Sequence, residues 1–196
     1  MLHELWPTTV YHDTIDTAVV EWIKTLLPED SLIRSWQGLR PWSTDDLLHE
    51  QAALAEFTSM VLDHANRLAD HLGIVRDELY ITSMWANVQY QRQNHAAHTH
   101  ANSLFSGVYY LQVPLHSQEL VFYDPRPQSQ VFKPSGPDCS ITGFHPRVGD
   151  LYLWPSWLLH STQSTTVEEL SEPRISISWN IQLHSDIQDH SARWRV

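Results

Sequence analysis

Three histidines that could bind a metal ion stand at the ends of two apolar segments of the sequence. His98 and His100 shortly precede the strand-like run "SLFSGVYYL", and His160 closes "GDLYLWPSWLLH". With 13 histidines in 196 residues, about one His-x-His pair is expected by chance, so the pair alone is weak evidence. Two ligands from one strand end and a third from another are nevertheless typical of a facial metal site at a barrel mouth. His98, His100 and His160 are therefore the predicted metal ligands.

A buried cation is predicted close to these histidines in the fold. Arg174 opens the segment "RISISWNIQL", in which apolar and polar residues alternate strictly. This alternation predicts a strand with one apolar face and one polar face, and the polar face requires a cavity or solvent. An arginine inside a barrel requires an anion, because an unpaired buried guanidinium is strongly unfavourable. The carboxylate of a cosubstrate would satisfy it.

The elements that position these residues change character near residue 80. Before it, "TIDTAVVEWIKTLLP" predicts a helix that stops at Pro28, because its apolar residues recur at helical intervals. A second helix is predicted after Ser43, which has capping-box spacing to Asp46, and Gly73 is its expected C-terminal cap. One apolar stripe of this helix is expected to pack on the core: Leu54, Phe57, Val61, Ala65, Leu68 and Leu72.

After Gly73 the sequence consists of short β-branched and aromatic runs separated by turn residues. Several short strands with helices outside predict a mainly β fold with N-terminal helices, built on a jelly-roll, cupin-like barrel. We expect a single domain over residues 1–196. Its helical part, 1–79, would pack on a barrel core over residues 80–184.

Composition excludes several classes of function. The net charge of -11 and the absence of a basic cluster argue against nucleic acid as a partner. Cys139 is the only cysteine, so no internal disulfide can form, and it lies in no nucleophile constellation. Neither a signal peptide nor a stretch of 18 apolar residues is present, so we expect a cytoplasmic protein without a membrane partner. A small molecule or peptide is the expected substrate, and a homodimer is compatible with these features.

Three segments in this order resemble a known family: "HTHANSLFSGVYYL", "VGDLYLWPSWLLH" and "RISISWN". They are similar to the iron(II)- and 2-oxoglutarate-dependent oxygenases, and in particular to small bacterial and phage members of prolyl-hydroxylase-like character. The resemblance covers residues 80–182, and "LWPTTVYHDTID" looks like the opening of the same subfamily. It implies a double-stranded β-helix, with Fe(II) and 2-oxoglutarate as cofactors and O2 as cosubstrate.

The resemblance also implies roles for individual residues. His98 corresponds to the first metal ligand and His160 to the distal histidine of the family. Arg174 would bind the distal carboxylate of 2-oxoglutarate, with Ser176 beside it, since "RIS" matches the Arg-x-Ser pattern of many members. Tyr110 matches a tyrosine whose hydroxyl can bond the same carboxylate.

The sequence departs from the family pattern at His100, where the wider family carries Asp or Glu. Three neutral imidazoles can hold Fe(II), but they remove one negative charge from its surroundings. Asp124 and Asp150 are alternative third ligands, although each is favoured as a turn residue. An open coordination position, as halogenating relatives use to hold chloride, is the remaining alternative.

The implied reaction is hydroxylation of an unactivated C–H bond, with formation of succinate and CO2. An amino acid, a peptide or a related small metabolite is the expected substrate. Desaturation, cyclisation and halogenation diverge too late in the chemistry for sequence to separate them from hydroxylation. Two other classes stay open: a cupin-type three-histidine dioxygenase that works without 2-oxoglutarate, and a non-catalytic metal-binding barrel.

The other conspicuous residues are expected to play lesser roles. His95 could lie beside the metal ligands, but a loose surface position is favoured. Trp85 and Trp157 lie on strands that should reach the barrel mouth and could contact substrate, but core positions are favoured. Asn102 is open between binding a ligand and capping a turn. No partner is identified for three further histidines: His145, His184 and His190.

Overall fold

The computed structural model describes residues 7–16, 18, 41–74, 78–90, 93–126, 140–162 and 172–184. These residues form ten strands and one α-helix. The strands are β1 (Tyr11–Thr14), β2 (Trp42–Ser43), β3 (Glu78–Gln89), β4 (His95–His98), β5 (Phe105–Gln112), β6 (Leu120–Tyr123), β7 (Ile141–Phe144), β8 (Asp150–Pro155), β9 (His160–Thr162) and β10 (Arg174–His184). The helix, α1, spans Ala55–His71 and follows two short 3-10 turns at Leu48–Glu50 and Ala52–Leu54.

The strands form two antiparallel sheets. The main sheet has the order β1-β8-β5-β10-β3-β2, and the smaller sheet has the order β4-β9-β6-β7. Strands distant in sequence are neighbours in both sheets, as in a jelly roll. The mainly β fold with a double-stranded β-helix core is thereby confirmed. Strands β1 and β2 join the main sheet, so the first 79 residues supply strands as well as a helix.

Helix α1 packs on the outer face of the main sheet. Its stripe of Leu54, Phe57, Val61, Ala65 and Leu68 is buried as expected, whereas Leu72 is 38% exposed. Gly73 ends the helix with a φ of 67°. Its N–H donates to the Asp70 carbonyl, and the N–H of Ile74 donates to the Ala69 carbonyl. This pair of bonds is the Schellman motif, so the predicted C-terminal cap is confirmed.

The predicted start of this helix is wrong. Ser43 does not cap a helix but lies in β2, paired with Asn87 of β3. The carbonyl of Asp46 accepts a hydrogen bond from the Met84 N–H at 2.8 Å. Pairing with β3 therefore overrides the local capping preference, and α1 begins only at Ala55. The first predicted helix falls mostly outside the described residues.

Two apolar clusters lie on opposite faces of the main sheet. The larger cluster joins α1 to the sheet and includes Tyr109, Ile177 and Trp179. The smaller cluster lies between the two sheets and includes Tyr110 and Trp154. Because neighbouring residues on a strand point to opposite faces, Tyr109 and Tyr110 enter different clusters. The space between the sheets is the interior of the barrel.

None of the helices in the described ranges has the length and the apolar composition needed to cross a bilayer.

Candidate metal centre and anion pocket

The two sheets bring His98, His100 and His160 together. His98 ends β4 and His160 begins β9, and the two residues face each other in the register of these strands. His100 follows β4 by two residues, and its amide N–H donates to the Ser156 carbonyl at 3.0 Å. One ligand atom from each imidazole lies within 4.8 Å of the other two. Among the described residues, this is the only group of three or more His, Cys, Asp or Glu side chains that could hold a metal ion.

The main chain orients two of the three imidazoles. His98 Nδ1 lies 2.7 Å from the Ala96 carbonyl, and His160 Nδ1 lies 2.9 Å from the Leu158 carbonyl. Because a carbonyl only accepts, each Nδ1 carries the proton and donates it. In the neutral tautomer with this hydrogen bond, Nε2 carries no proton and is the atom that can bind a metal, as in many histidine sites. His160 Nε2 lies 3.2 Å from His100 Nε2.

Burial keeps His160 and His100 neutral. It lowers the pKa of His160 to about 3, with neighbouring histidines adding to the effect. The pKa of His100 is lowered to about 4 by burial and by the proximity of His98. Trp154 packs across His160 with a ring separation of 4.8 Å and excludes water from that side. These rings are therefore neutral near pH 7, which is the form that coordinates metals.

The alternative carboxylate ligands are engaged elsewhere. Asp124 accepts two hydrogen bonds from the Arg126 side chain, at 3.0 and 2.6 Å, and one from its backbone N–H. These contacts lower the pKa of Asp124 to about 2. Asp150 is buried and accepts from the Thr14 hydroxyl and the Arg147 N–H. Neither aspartate belongs to the histidine group, and both make the turn contacts that were favoured for them.

The histidines share one cavity with the residues predicted to bind the cofactor. The cavity has a volume of about 500 Å³ including its mouth. Arg174, Ser176 and Tyr110 all line it, and Ser176 faces Tyr110 in the register between β10 and β5. The predicted metal and cofactor residues therefore meet at one site.

Arg174 is a buried cation for which the described residues provide no counter-ion. Its side chain is 3% exposed, and its guanidinium carbon lies 5.8 Å from the centre of the Tyr110 ring. Nη1 donates to the Gln118 carbonyl at 3.1 Å, and Nη2 donates to Gln89 Oε1. No described carboxylate forms an ion pair with it, and burial lowers its pKa. A guanidinium in this state is a binding site for an anion that enters the cavity.

Several secondary predictions are corrected. His95 is not a loose surface residue: it is half-buried, lines the cavity, and its N–H donates to Thr162 Oγ1. Trp85 lines the cavity near His100 rather than the core, and Trp157 is 57% exposed. Asn102 lies in the turn after the ligands with a φ of 57°, and it is not among the residues that line the cavity.

Two of the remaining histidines lie away from the cavity. His145 Nε2 lies 2.9 Å from Glu119 Oε1, and His184 stacks on Tyr80. His190 and Cys139 lie outside the described residues.

Two polar networks around the site were not anticipated. Gln89 and Gln118 bind Arg174 from inside the protein. The second network begins at Ser156, whose backbone carbonyl accepts from the His100 N–H. The Ser156 hydroxyl is hydrogen-bonded to the Ser106 hydroxyl, and Ser106 donates to Asn180 Oδ1. One signal was present in the sequence, because polar residues alternate with apolar ones in "WANVQ" as they do in β10. Their contact with Arg174 depends on strand register, which a single strand does not reveal.

Residues 83–180 match the model of a protein family described as "Putative 2OG-Fe(II) oxygenase". The matched range contains every predicted metal and cofactor residue. No curated protein sequence matches the chain.

Solved structures of similar fold include oxygenases and an epimerase. The non-heme alpha ketoglutarate dependent epimerase SnoN from nogalamycin biosynthesis has a TM-score of 0.62 at 15% identity, covering 89% of this chain and 78% of SnoN. HygX from Streptomyces hygroscopicus, with nickel and 2-oxoglutarate bound, has a TM-score of 0.61 at 14% identity, with coverages of 90% and 83%. The viral collagen prolyl hydroxylase vCPH from Paramecium Bursaria Chlorella virus-1 has a TM-score of 0.60 at 11% identity, with coverages of 90% and 96%. These structural similarities show that the chain shares the fold of the three proteins.

The donor set fits a ferrous ion together with a dicarboxylate. Imidazole nitrogen is a suitable ligand for Fe(II), and three imidazole rings converge here. The buried guanidinium of Arg174, which forms no ion pair with a described residue, has the charge that a distal carboxylate would need. Both requirements are met within one cavity.

Proposed function

Because the chain belongs to the 2OG-Fe(II) oxygenase family, we propose that it hydroxylates an unactivated C–H bond of an amino acid, a peptide or a related small metabolite. The protein is an oxidoreductase whose cofactors are Fe(II) and 2-oxoglutarate, with O2 as cosubstrate. The observation that carries the proposal is the shared cavity: a cluster of three imidazoles and a buried guanidinium, for which the described residues provide no counter-ion, line the same space.

In this proposal His98, His100 and His160 hold the iron. The carbonyls of Ala96 and Leu158 keep two of the rings from rotating, so little orientation is lost when the metal binds. When bound, Fe(II) and 2-oxoglutarate supply an oxidative decarboxylation coupled to O2 reduction, which yields succinate, CO2 and the hydroxylated product.

Arg174, Ser176 and Tyr110 bind the distal carboxylate of 2-oxoglutarate in the proposed complex. Arg174 supplies charge and a planar pair of N–H donors. Burial raises the pKa of Tyr110, so its hydroxyl stays protonated and can donate a hydrogen bond. Val108 and Trp154 line the cavity between the polar groups and exclude water from it.

The charge of the cavity restricts the substrate. Apart from Arg174 and the histidines, the described lining is uncharged and includes Trp85, Ser178 and Thr162. Once Arg174 binds 2-oxoglutarate, no described group remains to pair with a free amino-acid carboxylate or ammonium. We therefore favour an uncharged portion of the substrate, such as a residue within a peptide, against the face of Trp85. A cytoplasmic setting and the absence of nucleic-acid and membrane partners remain part of the proposal.

An anaerobic optical titration tests the proposed site. Fe(II) and then 2-oxoglutarate are added to the metal-free protein, and a metal-to-ligand charge-transfer band is expected only when both are present. Arg174→Ala should weaken 2-oxoglutarate binding by at least 100-fold, and His100→Ala should abolish the band. His145→Ala is the matched control, because His145 is exposed and outside the cavity; it should titrate like the wild type.

The contrary results are specific. A band that survives in His100→Ala would remove this residue from the ligand set. Iron binding without any response to 2-oxoglutarate would favour a three-histidine dioxygenase that works without the cosubstrate. Metal binding without O2-dependent turnover of any candidate substrate would favour a non-catalytic metal-binding barrel.

A further inference from the structure

Three buried glutamines surround the side of Arg174 that faces away from the cavity. Gln89, Gln93 and Gln118 are 2%, 6% and 7% exposed, and none of them lines the cavity. Gln89 lies directly opposite Arg174 in the register between β3 and β10. Amides are rarely this buried unless their hydrogen bonds are satisfied, so the contacts of this cluster carry information about its role.

The contacts determine the orientation of the Gln89 amide. Its Nε2 donates to the backbone carbonyl of Gln93 at 2.7 Å and to the side-chain Oε1 of Gln118 at 3.3 Å. Gln93 is itself held through its Oε1, which accepts from the Tyr90 N–H at 2.9 Å. With Nε2 bound to two oxygen acceptors, Oε1 of Gln89 must point to the guanidinium, where it accepts from Nη2. The backbone carbonyl of Gln118 accepts from Nη1 of Arg174, so the guanidinium is held by two acceptors.

The chemistry of the amide matters as much as its geometry. Glutamate at position 89 would have nearly the same shape and would also accept from Nη2, but its negative charge would neutralise the guanidinium and its second oxygen would face the two acceptors that Nε2 now serves. An amide oxygen holds the side chain and leaves the positive charge available to a ligand. Arg174 donates to Gln89 and Gln118 through two of its five N–H groups, and its side chain also lines the cavity.

We infer that Gln89 is a positioning residue that aims Arg174 into the cavity and, being uncharged, preserves its charge for the distal carboxylate of 2-oxoglutarate. Gln93 and Gln118 keep the Gln89 amide in the required orientation. The inference rests on the proposed function, because it assigns Arg174 to the cosubstrate. It adds a determinant of cosubstrate affinity and of selectivity for a dicarboxylate.

The test compares two ligands that differ in one carboxylate. 2-Oxopentanoate has the carbon chain of 2-oxoglutarate without the C5 carboxylate, so the ratio of the two dissociation constants measures recognition of that group. Both constants are obtained by anaerobic optical titration of the Fe(II)-loaded protein. The wild type is expected to prefer 2-oxoglutarate by at least 100-fold, on the order expected for a buried charge-assisted pair.

Gln89→Glu should lower this preference at least tenfold. The loss should come from weaker 2-oxoglutarate binding, with the dissociation constant for 2-oxopentanoate changed less than threefold. Gln182→Glu is the matched control: it makes the same charge change on β10, at a residue outside the cavity lining. It should retain the wild-type preference.

Gln89→Met provides an independent arm. It removes the acceptor for Nη2 without adding a negative charge, so 2-oxoglutarate should bind three- to tenfold more weakly. The preference should remain well above that of Gln89→Glu. Circular dichroism and the thermal midpoint establish that each variant is folded.

Each contrary outcome is decisive. An unchanged preference in Gln89→Glu would overturn the role of the amide in preserving charge, and unchanged binding in Gln89→Met would overturn the positioning role. Equal losses for both ligands in Gln89→Glu would indicate general damage to the site and would also overturn the inference. If wild-type protein loaded with Fe(II) did not respond to 2-oxoglutarate, the proposed function itself would fail, which is a distinguishable result.

Discussion

Strand β10 has two faces that serve different purposes. On the helix side, Ile177, Trp179 and Ile181 are fully buried in the larger apolar cluster. On the cavity side, Arg174 and Ser176 are buried as well, but as polar groups. Burial is therefore similar on the two faces, and only the chemistry of the buried groups differs.

The difference shows where stability and binding arise. Apolar side chains on the helix side gain free energy from leaving water. On the cavity side, a guanidinium for which the described residues provide no counter-ion is buried at a cost in folding free energy, and the lowered pKa values of His100 and His160 make the fold less stable in acid. One strand thus stabilises the fold with one face and presents a reactive surface with the other.

The greatest loss of stability is expected when the apolar packing between β10 and α1 is disrupted. Trp179→Ala removes a fully buried indole that packs against Phe57 of α1 with a ring separation of 6.0 Å. It should lower the free energy of unfolding by about 3–5 kcal/mol, as large-to-small core changes do. Urea denaturation measures this loss. Trp157→Ala is the control, since Trp157 is 57% exposed and its removal should change stability by about 0.5 kcal/mol or less.

The same variant tests whether the two faces are independent. Gly107 of β5 connects the cavity side and the helix side of the sheet. It lines the cavity, and a Cβ added to it would lie only 2.7 Å from the Trp179 ring. If the faces are independent, folded Trp179→Ala should bind 2-oxoglutarate within about threefold of the wild type, since sites without shared partners behave additively. A much larger loss would mean that the indole also shapes the cavity through Gly107.

A smaller effect is expected from pH, and it should originate on the cavity side. His160 and His100 have pKa values lowered by burial to about 3 and about 4, whereas an unfolded histidine titrates near 6.5. As pH falls below 6.5, the unfolded chain takes up protons first, so the metal-free protein loses stability down to the folded pKa values. Each histidine contributes at most about 1.4 kcal/mol per pH unit.

Urea denaturation with a chelator present, at several pH values between about 7 and 5, measures this slope. In His160→Asn one of the two groups is absent, so stability should depend less steeply on pH than in the wild type. An identical slope in the two proteins would contradict the neutral, buried state of His160.

The affinity for Fe(II) should hardly change when Asp124, the alternative metal ligand, is replaced. Asp124→Asn should change the affinity for Fe(II) less than twofold, because the Asp124 carboxylate is bound to Arg126 and lies outside the histidine group. Isothermal titration under anaerobic conditions measures the affinity, with His98→Ala as the positive control for loss of a ligand. A tenfold or larger loss of Fe(II) affinity in Asp124→Asn would indicate that this carboxylate is a metal ligand after all.

Much of this arrangement could be predicted from local pattern. The alternation in β10 indicated which residues face the cavity, and the helical stripe and Gly73 indicated the packing face and the end of α1. Prediction failed where a distant strand competed with a local preference. Ser43 has the spacing of a helix cap, but backbone pairing with β3 satisfies more hydrogen bonds than the cap would. His95 was likewise misassigned, because its burial depends on β9 lying beside it.

Local pattern was enough to identify the residue types and the period with which they recur: three histidines at strand ends, and an arginine on the polar face of a strand. Those properties are local, since side-chain direction follows from the backbone repeat. The convergence of the histidines, the engagement of Asp124 with Arg126 and the position of Gln89 opposite Arg174 became visible only in the folded chain. These facts depend on strand register and sheet order, and strand pairing between residues far apart in the chain leaves no local signature.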